Sequence, residues 1–357
     1  MPSDTRPASR ASGAAAASAT LRAAPAVRGR LVRVTLLFGT LALVTCALAP
    51  LAGTTSISLA RVFDRTIPFA DNVDAQIFFI ARLPRVIAGA IVGASLAAAG
   101  VVFQAMLRNP LATPFTLGVS AGSSLGAMLA ITFGASVAAG PLSPVPLASL
   151  AGAAMAATIV YWLAKPYGRA MSTTVLLLAG VTLNSFFSAL IMFVQYVADF
   201  AQLFAAVRWL MGDLDVGGFG PIAGALLPFA IAAVMFASLP SSLNLLSLGT
   251  DAAAGRGVDV HRVQRRAFIS ASLATSAAVS LAGPIGFVGI VVPHLVRLMV
   301  GVDHRVVLPA SALFGAAFLV GCDVLSRLLL APVEVPIGIV TAMIGGPFFL
   351  WLLVTRS

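Results

Sequence analysis

The chain has 357 residues, of which 59% are hydrophobic and only 10% are charged, and its mean hydropathy is +1.02. Because an ordinary soluble domain has about 25% charged residues, this composition excludes a globular cytosolic enzyme. It predicts an all-α, polytopic membrane protein. The net charge of +10 is compatible with nucleic-acid binding until the positions of the arginines are considered.

The N-terminal part divides into a polar extension and a first apolar segment. Residues 1–30 are rich in alanine, serine and arginine and have no apolar periodicity, so we expect a disordered cytoplasmic extension. Residues 31–51 are apolar, and Ala47-Leu48-Ala49 resembles a signal-peptidase site. Pro50 follows it directly and disfavours cleavage. We therefore interpret this segment as a retained first transmembrane helix.

Further apolar segments follow, separated by breaks that are rich in proline and glycine. A crossing needs about 20 apolar residues, so residues 31–357 are predicted to form one transmembrane domain with about ten helices. The segment 288–302 is the shortest of them. The predicted spans after the first are 83–107, 115–134, 145–164, 174–198, 221–243, 267–287, 288–302, 306–330 and 336–354.

The basic residues orient these helices. With both termini in the cytoplasm, most of the 22 lysine and arginine residues lie inside, as the positive-inside rule requires. This asymmetry explains the basic charge without nucleic acid. The basic residues left outside are Arg61, Arg65, Arg82, Arg85, Arg208 and Arg327.

Three residue types exclude common forms of catalysis. Lys165 is the only lysine and Pro166 follows it, whereas a phosphate-binding loop needs serine or threonine after its lysine. The chain therefore does not hydrolyse ATP by itself. The two cysteines lie in apolar segments and the three histidines lack metal-ligand spacing. We expect no catalytic residue, no metal site and no cofactor bound by this chain.

Glycines recur every fourth residue in the second and third predicted helices, on one face of each. Small residues at this spacing let membrane helices approach closely. We favour a packing role over the alternative, a face that slides between transport states. The glycines are Gly89, Gly93, Gly118, Gly122 and Gly126.

Four segments carry more specific information than the composition does. They are Arg82-Leu83-Pro84-Arg85 running on to Arg108-Asn109-Pro110-Leu111-Ala112-Thr113-Pro114, Gly283-Pro284-Ile285-Gly286 running on to Pro293-His294-Leu295-Val296-Arg297, Asp323-Val324-Leu325-Ser326-Arg327, and Glu334-Val335-Pro336-Ile337-Gly338 running on to Gly345-Gly346-Pro347. In this order and spacing they resemble the FecCD family, the permease subunits of ABC importers for ferric siderophores, haem and vitamin B12.

The resemblance covers about residues 31–355. It implies ten helices with cytoplasmic termini in the inner (plasma) membrane and a second permease subunit that is identical or homologous. It also implies two cytoplasmic ATPase subunits, which bind ATP and Mg, and a periplasmic substrate-binding protein.

Three arginines at the predicted outer surface are candidates for docking. By the resemblance, Arg82, Arg85 and Arg327 would face acidic residues of the binding protein, through forked contacts with carboxylates. The alternative is anchoring at lipid headgroups. Asp323 lies one helical turn before Arg327, so we expect an internal ion pair rather than a proton relay.

The loop 244–266 is the largest internal cytoplasmic loop. We expect two short helices separated at 255–257, which together form a compact projection that we call the knob. By the resemblance the knob would insert into a groove on the ATPase, and a solvated basic loop is the alternative. Arg256 departs from the apolar residue usual in the family. The coupling residues would be Leu248, Gly249, Asp251, Ala253, Gly257 and Val258.

The fifth predicted helix carries polar side chains among aromatic ones. By the resemblance it lines the translocation path, whereas the residues alone also allow bonds to neighbouring helices. The candidates are Asn184, Ser188, Met192 and Gln195. No charged ring is visible, so the path suits a large chelate moved by alternating access. We expect a ferric siderophore, with haem or cobalamin as alternatives. An ion-coupled secondary transporter and a membrane scaffold are the interpretations from other classes.

Overall fold

The structure is a computed structural model that describes residues 8–134, 144–165 and 171–356. In this part of the chain, ten helices connect two opposite ends of a bundle. The prediction of an all-α polytopic membrane protein is confirmed. The ten helices are α1 (Ala8–Leu48), α2 (Leu83–Leu107), α3 (Val119–Phe133), α4 (Pro144–Ala164), α5 (Thr173–Val197), α6 (Gly220–Ala237), α7 (Val260–Ala282), α8 (Val288–Val300), α9 (His304–Leu328) and α10 (Ile337–Arg356).

The helices differ in their ability to cross a membrane alone. Six helical segments of the described residues are long and apolar enough by themselves, whereas α3, α8 and α10 are shorter apolar helices. Helix α7 has 23 residues and begins with a basic segment that lowers its hydropathy. Helix α8 has 13 residues and therefore spans only about 20 Å. The irregular segment 283–287 precedes α8.

The N-terminal extension differs from the sequence prediction. Helix α1 begins at Ala8, so the structure has helix in most of the stretch 1–30, for which the composition predicts disorder. Alanine is the strongest helix former, and the missing apolar periodicity concealed that propensity. Residues 1–7 lie outside the described part of the chain.

Two other boundaries differ for local reasons. Helix α6 ends at Ala237, and the separate short helix Pro240–Leu246 covers the rest of the predicted span. A proline can begin a helix but cannot continue one without losing a hydrogen bond. Helix α7 begins before the predicted span because Asp259 caps it, accepting a hydrogen bond from the Arg262 backbone N at 2.9 Å.

Successive helices alternate in direction, so their connections gather at two ends. The Glu334 end comprises the segments 49–82, 198–219, 283–287 and 329–336, and the Arg108 end comprises the segments 108–118, 238–259 and 301–303. The candidate span of α1 begins at Arg28, and this part of the helix also belongs to the Arg108 end, because Arg30 donates a hydrogen bond to the Val300 carbonyl oxygen. The first span therefore begins, and the last helix ends, at the same end of the bundle.

Helix α2 lies at the centre of the bundle. It packs against α7, α8 and α9, and most of its residues are buried. Its crossing with α9 is so close that a Cβ atom on Gly93 would lie 2.2 Å from the Gly315 carbonyl oxygen. No larger residue fits there without moving a helix, which is the close packing that small residues permit in membranes.

The other candidate packing glycines occupy three different settings. Gly122 and Gly126 lie where α3 crosses α4, and a Cβ atom on Gly126 would lie 2.0 Å from the Ala148 carbonyl oxygen. Gly89 faces side chains of neighbouring segments. Gly118 precedes α3 with a φ of +75°. It therefore precedes the helix, whereas the spacing alone predicted that it lies on the helix face. It is still a close-packing position, because a Cβ atom there would lie 3.1 Å from the Gly180 carbonyl oxygen of α5.

Candidate functional site

One buried carboxylate at the Glu334 end joins two helices and a loop. The Asp323 side chain is 2% exposed, with Arg85 Nε at 2.7 Å from its Oδ1 and Arg327 Nη2 at 3.1 Å from its Oδ2. Arg85 Nη1 lies 2.7 Å from Glu334 Oε2, and the Glu334 side chain is 47% exposed. The two arginines balance the two carboxylates. The expected Asp323–Arg327 pair is confirmed, and it is part of a larger cluster.

Two of the three candidate docking arginines hold a loop of their own chain. Arg82 donates to the Pro50 carbonyl oxygen at 2.9 Å, and Arg327 donates to the Ala52 carbonyl oxygen at 2.6 Å. The two arginines are only 7% and 4% exposed. The sequence predicted that these arginines bind a partner's carboxylate or, alternatively, a lipid headgroup. In this conformation the loop 49–55 occupies both guanidinium groups, so neither is free for such a contact.

The third arginine borders a cavity. Arg85 and Glu334 line a space of about 470 Å³ at the Glu334 end. The short helix Phe200–Leu210 forms another wall, and its Arg208 lies 3.0 Å from Asp213 across the rim. The cavity thus has apolar walls with charges of both signs at its edge.

That short helix is absent from the sequence prediction. It begins with a capping box, in which Gln202 N donates to Asp199 Oδ1 at 2.8 Å and Asp199 N donates to Gln202 Oε1 at 3.1 Å. Gln202 Nε2 also donates to the Thr132 carbonyl oxygen at 3.0 Å, which ties the helix to the end of α3. The Asp-x-x-Gln pattern was the signal that could have located it.

The loop 244–266 contributes to two short helices at the Arg108 end, Pro240–Leu246 and Thr250–Ala254. The two short helices are separated at 247–249 and not at 255–257 as predicted, whereas a turn at 255–257 separates the second of them from α7. The chain turns at Gly249, which has a φ of +117°, and again at Gly257, which has a φ of +80°, whereas Gly255 keeps a helical φ of −61°. Glycine adopts a positive φ without a steric penalty, and the structure shows which of the three glycines use it.

The candidate coupling residues divide into exposed and anchored ones. Leu248 is 61% exposed, and Asp251 and Gly257 are also exposed. Ala253 is fully buried, and Val258 packs against the core. An exposed leucine next to a carboxylate, on a knob anchored from beneath, is able to enter a groove on another protein.

A second cavity, of about 570 Å³, lies beside this knob. Arg297 Nη1 donates to Gln104 Oε1 at 2.6 Å, and Asn244 Nδ2 donates to Asp303 Oδ1 at 2.6 Å. Burial acts to raise the pKa of Asp303, but the hydrogen bonds from Asn244 and from a backbone amide two residues on hold that pKa below its ordinary value. The carboxylate is therefore charged at neutral pH and ties the knob to the start of α9.

The candidate path residues lie on a largely uncovered helix. Asn184 and Met192 are exposed, and Ser188 and Gln195 are half-buried. Large exposed side chains of the same helix are Leu178, Val181, Phe186, Phe193, Tyr196 and Val197. This face of α5 is open to lipid, to a second subunit or to a shared path.

Residues 41–355, which include everything from the later part of α1 onward, match the FecCD transport family. The chain is a member of this family. A FecCD permease is a membrane transport subunit and is not itself catalytic, since the ATPase activity lies in a partner. This FecCD permease is a multi-pass inner-membrane protein.

Several characterised permeases are similar to it. The chain is 44% identical over 276 residues to the cobalamin import system permease of Halobacterium salinarum, covering 77% of this chain and 73% of the relative. It is 36% identical over 317 residues to the hemin transport system permease of Yersinia pestis, covering 85% and 91%. It is 37% identical over 301 residues to the Fe(3+)-citrate import system permease of Bacillus subtilis, covering 84% and 88%.

A solved structure shares the fold of the FecCD permease. It is an inward-facing conformation of a metal-chelate type ABC transporter, with a TM-score of 0.77 and 32% sequence identity, and the match covers 91% of this chain and 99% of that chain. Together these similarities make the chain the permease of an importer for an iron chelate, haem or cobalamin.

Proposed function

We propose that this FecCD permease moves a ferric siderophore across the inner membrane by alternating access, driven by ATP hydrolysis on separate subunits. The observation that carries the proposal is the family match over residues 41–355. Among its relatives are permeases named for Fe(3+)-citrate, hemin and cobalamin. Haem and cobalamin are therefore the alternative cargoes within the same importer class.

The chemistry of the described residues supports a chelate rather than a free ion. Within residues 8–134, 144–165 and 171–356, no three histidine, cysteine or acidic side chains converge to hold a metal. The buried acid Asp323 is neutralised by two arginines, so it lacks the free carboxylate that a proton relay needs. An uncharged path formed by Asn184, Ser188, Met192 and Gln195 would let a large cargo pass without holding it.

We propose that the Arg108 end faces the cytoplasm and binds the ATPase. Exposed arginines concentrate at this end, in agreement with the positive-inside rule. The knob formed by Leu248, Gly249 and Asp251 would enter the ATPase groove, with Ala253, Gly257 and Val258 holding its shape. Movement of the knob would reach α9 through the Asn244–Asp303 hydrogen bond.

The Glu334 end would then receive the periplasmic binding protein. Arg85 is the docking arginine that borders an open cavity, and its partner Glu334 is half-exposed and replaceable. A carboxylate of the docking protein would compete with Glu334 for this guanidinium. Arg82 and Arg327 would contribute by fixing the loop 49–55 beside it.

A second permease subunit, identical or homologous, would cover the open face of α5. This face carries large apolar side chains such as Phe186 and Phe193 that a single chain leaves exposed. A path between two such faces would be lined by both subunits.

The experiment that tests the function compares cargo uptake by a strain that lacks the gene with uptake by the same strain complemented with the gene. The cargoes are radiolabelled ferric siderophores, haem and cobalamin, each measured with vanadate, with an uncoupler and without either. We expect loss of ferric-siderophore uptake, restoration by the gene and inhibition by vanadate. If the deletion abolishes only haem uptake or only cobalamin uptake, that compound is the cargo and the assignment to a ferric siderophore is wrong. Uptake that survives vanadate but stops with the uncoupler would overturn the ATP-driven mechanism.

A further inference from the structure

A groove between α1, α6 and α9 opens on the outer surface of the bundle. Its volume is about 450 Å³, and all but two of its lining residues are apolar. Leu31 of α1, Phe229 of α6 and Leu308 of α9 lie on its three walls. The groove is separate from both cavities at the ends of the bundle and from the face of α5.

One end of this groove is cationic. Arg305 is the one charged side chain that lines it, and the residue is exposed. Arg28 lies on the face of α1 that lines the groove, one turn closer to the Arg108 end, and is also exposed. The candidate spans of the two helices begin at Arg28 and His304. Both arginines therefore lie where a helix enters the membrane.

The contacts of α1 bring the beginning of its candidate span close to that of α9. Arg30 donates a hydrogen bond to the Val300 carbonyl oxygen, which holds this part of α1 beside the turn between α8 and α9, and Arg28 projects about 200° around the helix from Arg30, on the side of Leu31. Helix α1 packs mainly against α9. The groove between α1 and α6 is therefore bounded by positive charge at one end.

We propose that this groove binds an anionic phospholipid, with one acyl chain against the apolar walls and the phosphate between Arg305 and Arg28. A guanidinium pairs well with phosphate oxygens, and basic pockets between membrane helices select acidic headgroups. Inorganic phosphate would use only the two arginines, whereas a phospholipid uses the arginines and the apolar walls together. The bound lipid would hold α1 against α6. This effect would not depend on which cargo the permease transports.

The test is native mass spectrometry of the delipidated full-length permease with phosphatidylglycerol or phosphatidylcholine of the same acyl chains. We expect tighter binding of phosphatidylglycerol, and a loss of about fivefold in affinity for each arginine removed in Arg28→Ala and Arg305→Ala. The matched control is Arg33→Ala, because Arg33 lies on the same helix but about 200° around from Leu31. Equal binding of the two lipids, or equal losses in all three variants, would overturn the proposal.

A second variant tests the apolar part of the site. Ala233 lines the groove and is exposed, so Ala233→Phe fills the space without disturbing the core. We expect this variant to lose binding of both lipids. If phosphatidylglycerol binding persists in Ala233→Phe, or if millimolar inorganic phosphate displaces the lipid completely, the arginines form a phosphate site alone and the acyl-chain groove is wrong.

Discussion

The two ends of the bundle use arginine in opposite ways. At the Glu334 end, Arg82, Arg85 and Arg327 are largely buried and bond to two carboxylates and to loop carbonyl groups. At the Arg108 end most of the arginines are exposed, and Arg297, which bonds to Gln104, is half-buried. The exposed ones include Arg108, Arg256, Arg262, Arg265, Arg266 and Arg305. The same side chain thus stabilises the fold at one end and is available for recognition at the other.

This difference shows what a sequence motif leaves open. The Arg-Leu-Pro-Arg motif at 82–85 is equally compatible with docking, anchoring and internal pairing. Burial decides among these roles, since a buried guanidinium must be paired inside the protein whereas an exposed one contributes little to stability. Variants at the two ends should therefore separate stability from transport.

The largest expected effect is on stability at the Glu334 end. Asp323→Ala leaves Arg85 and Arg327 buried without their shared carboxylate, so we expect a loss of about 3–5 kcal/mol in the free energy of unfolding. Thermal unfolding of the purified permease in detergent measures it. The matched control is Asp213→Ala, which breaks the partly exposed pair with Arg208 and should cost about 0–1 kcal/mol. Equal melting temperatures for the two variants would contradict the structural role of the cluster.

An intermediate effect is expected at the knob. Gly249 has φ +117° and ψ 152°, a region that is nearly restricted to glycine, so Gly249→Ala should strain the turn by about 1–3 kcal/mol. We expect lower uptake at a normal membrane level of the permease. Gly255→Ala is the control, because the φ of Gly255 is helical and its Cβ would make ordinary contacts. Uptake that falls equally in both variants would mean that the turn geometry is unimportant.

The smallest effect on stability, with a distinct effect on docking, is expected for Glu334→Gln. The Glu334 side chain is half-exposed, so its loss should change the free energy of unfolding by about 0–1 kcal/mol. Arg85 would keep its pair with Asp323 but lose its second carboxylate partner, so the affinity of the binding protein for this guanidinium should rise by up to about fivefold. Arg85→Gln should lower that affinity. Surface plasmon resonance with the cognate binding protein measures both, and unchanged affinities would exclude Arg85 from docking.

The local sequence pattern was sufficient to predict much of the fold. The boundaries of α2 agree with the predicted span 83–107, because a continuous apolar run between a proline motif and Arg108-Asn109-Pro110 leaves few alternatives. The Asp323–Arg327 pair was predictable from helical spacing alone. The short helix Phe200–Leu210 was missed because it lies between two crossings and carries only a capping box as a signal.

The sequence by itself determined the membrane class, the helical architecture and the family, since these depend on local hydropathy and on motifs read in order. Only the tertiary structure decided which charges are paired. Arg85 meets Asp323 across 238 positions in the chain and Glu334 across 249. No helical period relates residues so far apart. Their contact arises because glycines such as Gly93 and Gly315 let α2 and α9 approach until their polar ends share one cluster.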